Sequence, residues 1–237
     1  MNKTSKTIII TGATSGIGKA TAIAAVKQGH SVMLAARHEA ALQKLAHDLT
    51  DSFTGEVAYQ VTDVSDKQSV AKLIAATSAT FGQIDVLDNN AGIMKFGRLA
   101  ETHSTDWDTM IDINVKGVLY GIEAVLPIMH QQGYGQIITT DSTAGHQVGQ
   151  NNAVYSATKF AIQAIMTGLR LEEASNHIRS MMVSPAFTDT NFFNESDSEP
   201  FKDTQRLSPD DVAAAVLYAI NQPNNVDINE IILHPTL

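Results

Sequence analysis

The chain has no cysteine, which excludes disulfides, thiolate zinc sites and thiol catalysis but leaves its compartment open. It has no apolar run of about 18 residues, so no membrane-spanning helix is expected. No block of like charges suggests a tail or a membrane-binding patch. The balance is acidic, with net charge −9 and a pI near 5.2, which argues against a nucleic-acid surface. The eight histidines show no His-Glu-x-x-His spacing, and no metal site is expected. No Gly-x-Ser-x-Gly elbow occurs, which disfavours a Ser-His-Asp hydrolase. Met1 to Lys6 lead straight into an apolar run without a signal-peptide core, so a cytoplasmic protein is expected.

What the chain does have is a repeated alternation. Short strand-like runs alternate with longer helical stretches. The runs are Thr7–Thr11, Ser31–Ala36, Val57–Val61, Val86–Asn89, Gln136–Thr140, Ser180–Ser184 and Glu230–Leu233. This alternation predicts a doubly wound α/β fold: a parallel sheet of about seven strands with helices on both faces. Two long helices are expected at Asp106–Gln132 and Asn151–Ser175. No linker divides the chain, and 237 residues with 43% hydrophobic content suit one domain over 1–237. The least regular stretch, Thr188–Ser208, reads as a lid over a site or as a disordered surface loop.

The first run leads into Thr11-Gly12-Ala13-Thr14-Ser15-Gly16-Ile17-Gly18 and then into a helix. A strand, a glycine-rich turn and a helix make a phosphate cradle. Glycine lets the backbone approach a pyrophosphate, and the helix start offers unpaired N–H groups. The spacing is Gly-x3-Gly-x-Gly rather than the commonest dinucleotide fingerprint, and a ligand-free connection is the plain alternative. Further on, Tyr155 and Lys159 stand four apart, on one helix face, with Ser142 thirteen residues upstream. An ammonium beside a phenol favours the phenolate and is expected to lower its pKa from about 10. That would fit Tyr155 for proton exchange near neutral pH. An ordinary helix-face pair and an ordinary turn serine are the plain alternatives.

Taken together, Thr11-Gly12-x3-Gly16-x-Gly18, Asn89-Asn90-Ala91-Gly92, Asn114, Ser142 and Tyr155-x3-Lys159 resemble the short-chain dehydrogenase/reductase family. The match is to its single-domain branch and spans the chain. The resemblance implies a Rossmann-type fold and hydride transfer between a nicotinamide cofactor and a small carbonyl or alcohol substrate. It implies that Ser142 bonds the substrate oxygen and that Tyr155 exchanges its proton. Lys159 would hold ribose hydroxyls, and Asn114 would fix a water linking Lys159 to solvent. Cofactor contacts are implied at Gly12, Thr14, Ser15, Gly16, Ile17 and Gly18, and at Asp63 and Val64 beside the adenine. Asn90, Ala91 and Gly92 would follow on the nicotinamide side, with Tyr155, Lys159, Pro185, Thr188 and Thr190. Asn89 is implied to brace the sheet and line the same path, although a buried Asn at a strand end often only satisfies backbone groups.

Cofactor choice is expected at the end of the second strand, Met33-Leu34-Ala35-Ala36-Arg37-His38. No carboxylate stands there to accept from a ribose 2′-hydroxyl, whereas Arg37, helped by His38, can pair with a 2′-phosphate. NADP(H) is therefore favoured over NAD(H), the alternative for Arg37 being a solvated helix-start residue. Two departures from the family stand out. Ala186 replaces the usual Gly after Pro185 and resists positive φ. Asp141 precedes Ser142 where relatives carry Ser or Gly. The C-terminal Val226–Thr236 segment and Ser142-Thr143-Ala144-Gly145 resemble reductases related to serine and 3-hydroxy acid dehydrogenases. A 3-oxoacyl-carrier reductase and a non-catalytic nucleotide-binding regulator are the alternatives. Ile93, Met94, Phe96, Val148, Phe187, Phe192 and Phe193 suggest an apolar substrate pocket or ordinary core. By family analogy a homotetramer (or dimer) is expected through the two long helices and the last strand.

Overall fold

The computed structural model describes residues 5–190 and 204–236. Seven strands form one all-parallel sheet: β1 (Thr7–Thr11), β2 (Ser31–Ala36), β3 (Val57–Val61), β4 (Val86–Asn89), β5 (Gly135–Thr140), β6 (Ile178–Pro185) and β7 (Glu230–Leu233). Their order is β3-β2-β1-β4-β5-β6-β7. The winding reverses between β1 and β4, and a crevice opens at their C-terminal ends.

Successive strand side chains point to opposite faces, and β1 divides accordingly. Ile8 and Ile10 join the core beneath α1 (Gly16–Lys27), α2 (Glu39–Ser52) and α7 (Pro209–Ile220). Ile9 joins the other core, beneath α3 (Lys67–Phe81), α5 (Gly117–Gln132) and α6 (Ala153–Glu173). All five β1 residues are buried, which is why the strand reads as an unbroken apolar run. Local signals set the helix ends. Ser208 and Asp211 form a reciprocal capping box with Pro209 at the first position of α7. Gly82 closes α3 at φ 79°.

The expected helix Asp106–Gln132 is not continuous. α4 (Ser104–Ile111) passes into a π-helical segment, Asp112–Lys116, before α5 begins. The wider turn carries Asn114, whose amide is bonded to the neighbouring loop. Such bulges recur at functional sites. The expected helix Asn151–Ser175 is α6 followed by a 3₁₀ turn, Ala174–Asn176. Among the described residues no helix is long and apolar enough to cross a membrane.

Candidate active site

The crevice is a cleft of about 1250 Å³ over the C-terminal ends of the strands. One wall is the turn from β1 into α1. Gly12 and Gly16 have φ of 66° and 51°, so both need glycine. Ser15 caps α1 without a side-chain bond to it, leaving the N-terminal turn open toward the cleft. Thr14, Ser15 and Ile17 line the cleft with these two glycines. Gly18 lies behind the wall. A Cβ there would meet Asn90 Nδ2 at 2.4 Å and the Gly12 carbonyl oxygen at 2.6 Å. Its role is close packing of helix on turn rather than lining the cleft.

Thr11 stitches this turn to the loop after β4. Its Oγ1 accepts from the backbone N–H groups of Asn90 (3.0 Å) and Ala91 (3.1 Å). Asn90 Nδ2 donates back to the Thr11 carbonyl at 2.9 Å. Asn90, Ala91 and Gly92 line the cleft. Asn89 does not: it is buried, and a Cβ on Gly121 of α5 would lie 2.7 Å from its Oδ1. It braces helix on sheet and is off the expected nicotinamide path.

Arg37 and His38 are exposed at the cleft's rim. Arg37 makes no ion pair with any described residue. Asp63 lies nearby and lines the cleft with Val64. Its Oδ1 accepts from the Ser65 hydroxyl (2.6 Å) and N–H (2.9 Å). The hydroxyl bond is the largest effect holding Asp63 below the usual carboxylate range, and the Arg37 charge adds to it.

At the far end, Ser142 and Tyr155 are joined by a side-chain hydrogen bond. Ser142 Oγ also accepts from the Ala144 N–H at 3.1 Å. Lys159 Nζ donates to the Thr140 carbonyl at 2.7 Å and lies 5.7 Å from the Tyr155 ring centre. Burial pushes the Tyr155 phenol well above its usual range, and the bond from Ser142 opposes it. The direction is opposite to the sequence expectation: desolvation outweighs any help from the ammonium. Burial also lowers Lys159 to about 8, against an upward pull from Asp141.

Asn114 stands behind the wall, and both protons of its amide nitrogen are used. Oδ1 accepts from the Ile93 N–H at 2.9 Å, and Nδ2 donates to the Ile93 carbonyl at 2.8 Å and to Thr158 Oγ1 at 3.2 Å. Ala186 needs no positive φ. Its N–H donates to the Leu233 carbonyl at 2.9 Å, so the Gly-to-Ala departure is accommodated. Pro185, Thr188 and Thr190 line the cleft, and a Cβ on Gly16 would meet the Thr190 methyl at 3.0 Å. Ile93, Met94, Phe96, Val148 and Phe187 form an apolar end of the cleft. Phe192 and Phe193 lie outside the described residues, as does most of the expected lid. The two sides of that segment meet at its base. Leu207 donates to the Phe187 carbonyl and accepts from the Asp189 N–H, both at 2.8 Å.

Sequence reasoning missed Thr11, Thr140, Thr158 and Gln163 as supports. Only Thr11 carried a signal, as part of the glycine-turn motif. Asp141, His146 and Glu230 bring three potential ligand atoms within 4.8 Å of one another. Gln163 and Ser184 already engage the group through hydrogen bonds.

A parallel sheet with this crevice, a glycine cradle at a helix start and a Ser–Tyr–Lys group facing it defines a dinucleotide-dependent enzyme. The family profile described as short chain dehydrogenase matches residues 6–200, and the chain belongs to that family. It is 41% identical over 247 aligned positions to an uncharacterised oxidoreductase of Staphylococcus saprophyticus, covering 99% of this chain and 98% of the relative. A serine dehydrogenase complexed with NADP+ superimposes with TM-score 0.89 at 30% identity, over 97% of this chain and 94% of that one. A short-chain dehydrogenase/reductase from Burkholderia phymatum, in complex with NAD, gives TM-score 0.89 at 28% identity, over 99% and 91%. The chain is thus an oxidoreductase acting on CH–OH groups with a nicotinamide cofactor.

The cleft fits that cofactor. Gly12 and Gly16, both at positive φ, line it beside the first turn of α1, whose N–H groups would suit a pyrophosphate. Arg37, Asp63, Val64, Tyr155 and Lys159 all line the cleft and would be available to hold the cofactor.

Proposed function

We propose that the protein is an NADP(H)-dependent reductase of ketones or aldehydes, run in reverse as a dehydrogenase of the corresponding secondary or primary alcohols, with 3-hydroxy acids among its substrates. One observation carries this reading: Ser142 and Tyr155 share a hydrogen bond at the cleft wall, with the Lys159 ammonium behind them.

When bound, the cofactor supplies or accepts the hydride. The chain positions the substrate oxygen and moves its proton. An oxygen placed against both hydroxyls receives a bond from Ser142 and another from Tyr155. Tyr155 gives its proton to that oxygen in reduction and takes it back in oxidation. Lys159, mostly charged at neutral pH, favours the phenolate left behind. The bond to the Thr140 carbonyl uses one of its N–H groups, and two are left for ribose hydroxyls. A water fixed by Asn114 would link Lys159 to solvent. The apolar end, from Ile93 to Phe96 and at Val148 and Phe187, receives the substrate's carbon skeleton. Consumption of NADPH and NADH with a panel of ketones, aldehydes, 3-oxo acids and 3-oxoacyl thioesters tests the reading. No turnover on any member would sink it and favour a nucleotide-binding regulator.

NADP(H) rather than NAD(H) follows from Arg37, exposed at the rim with no described anionic partner in an ion pair. Arg37→Ala is expected to weaken NADPH about ten- to a hundredfold, the worth of one charged hydrogen bond, and to leave NADH nearly unchanged. Equal losses in the two dissociation constants would remove Arg37 from phosphate reading.

We further propose a cytoplasmic homotetramer. Of the apolar residues on the two long helices, Val118, Ile122, Val125, Ile162 and Leu169 cover the subunit's own sheet. The surplus lies elsewhere on the same helices, at Ile111, Leu119, Phe160 and Leu171, which are 40–74% exposed. Light scattering is expected to give about 100 kDa, four chains of 25.5 kDa. A single-chain mass at micromolar concentration would refute assembly.

A further inference from the structure

Tyr155, Lys159 and Gln163 follow at four-residue intervals along α6 and form one row on its surface. The first two line the cleft, whereas Gln163 does not. Its amide nitrogen donates to Asp141 Oδ2 at 2.5 Å and to Glu230 Oε1 at 3.1 Å. Asp141 directly follows β5, between two residues of the site. Thr140 lends its carbonyl to Lys159, and Ser142 faces Tyr155. The backbone N–H of Asp141 is fixed to the Val183 carbonyl at 2.8 Å. Its side chain packs on Gly145, where a Cβ would lie 2.5 Å from Oδ2.

Asp141 is 2% exposed, and its Oδ1 has no hydrogen-bond partner among the described residues. A carboxylate buried this deeply needs a compensating charge. Burial raises Asp141 to about 6. Lys159 is the strongest opposing influence, followed by the bond from Gln163. His146 adds a smaller attraction, and Glu230 a repulsion. Glu230 is itself engaged by Ser184, Gln163 and His146. Asp141 in turn pulls Lys159 and Tyr155 toward their protonated forms. Among the described residues no hydrogen bond joins Asp141 to Lys159, so their attraction acts through space.

We propose that Asp141 and Gln163 are positioning residues for the Tyr155–Lys159 pair. Asp141 is the buried counter-charge of Lys159, and its bond to Gln163 fixes the α6 row against the Ser142 end of β5. The inference rests on the catalytic reading of Tyr155 and Lys159 given above.

The charge and the strut can be separated. Removing the negative charge lets both Lys159 and Tyr155 release protons at lower pH. The basic limb of the reduction profile therefore moves toward acid. Asp141→Asn is expected to shift that limb down by about 1 pH unit, the lower end of what an opposite charge at close range does. Asp141→Glu keeps the charge and returns the limb toward wild type. Gln163→Leu removes the strut and keeps the carboxyl; losing that bond favours neutral Asp141 only on the acid side, away from the basic limb. It should lower kcat, by up to about 100-fold for a 1 Å misplacement, with the limb unmoved. A readout independent of turnover is competitive acetylation of Lys159 across pH, followed by peptide mass spectrometry. In Asp141→Asn its midpoint should fall with the limb. A labelling curve and a limb that both match wild type would overturn the proposal. Absence of wild-type turnover would instead sink the catalytic reading, and the labelling curve would still decide the counter-charge.

Discussion

Tyr155→Phe is expected to keep the fold and the cofactor and to lose at least about 100-fold in kcat, the usual cost of a missing general acid. The substitution removes one oxygen from a side chain that is 7% exposed, and the ring still fills its place. Ser142 keeps its bond from the Ala144 N–H, and Lys159 keeps its bond to the Thr140 carbonyl. The frame of the site therefore survives, and only the proton donor is lost. Binding titrations with NADPH should match wild type while steady-state turnover collapses. Turnover within a few-fold of wild type would take Tyr155 out of the mechanism.

The second large effect concerns stability. Asp88 in β4 is fully buried, and neither carboxylate oxygen has a hydrogen-bond partner among the described residues. Its register partners are Ile10 and Ile138, so it faces the apolar core under α1 and α7. Burial raises it to about 7. The folded state therefore holds this proton more tightly than the unfolded chain. Below about pH 4 both states are neutral at this position, and it costs nothing for ionisation. As pH rises from about 4 to 7 the unfolded chain ionises at this position while the folded protein keeps its proton, so stability falls; above about 7 the folded protein ionises too and the loss levels off. The gap between about 4 in the unfolded chain and about 7 in the folded one corresponds to about 4 kcal/mol above pH 7. Asp88→Asn, which cannot ionise, should gain on wild type as pH increases from 4 to 8, with most of that 4 kcal/mol recovered. Denaturant midpoints measured across that range would show it. A difference that stays flat with pH would mean that the carboxyl is compensated.

Much of this molecule is legible in its sequence because the signals are local. Thr7–Thr11 and Ser31–Ala36 are buried on both faces and so read as short apolar runs. The glycine turn announces itself because backbone at positive φ, and packing too tight for a Cβ, tolerate little else. Tyr155 and Lys159 are found by spacing alone, since a helix puts positions four apart on one face. The rest depends on tertiary distance. The π-helical turn at Asp112–Lys116 leaves no mark in a periodic apolar pattern that runs through it. Asp141 is balanced by groups on α6, β7 and the loop that carries His146, none of them adjacent in sequence. Asp88 looks like one more residue in a strand until both its neighbours prove to be isoleucine. The Tyr155 shift runs against the sequence expectation for the same reason: burial is a property of the fold, whereas a nearby lysine is a property of the sequence.

The π-helical turn also makes chain length matter more than chemistry at that point. It accommodates one residue beyond what a regular helix would hold over the same rise, so α4 and α5 are joined out of phase. Deleting a single residue between Asp112 and Lys116 would restore a regular helix and rotate everything after it by roughly 100°. The stripe of Val118, Ile122, Val125 and Met129 would then swing away from the sheet, or Asn114 would swing away from Ile93. Substitutions in this stretch alter local contacts, whereas a one-residue deletion forces a choice between the core and the site.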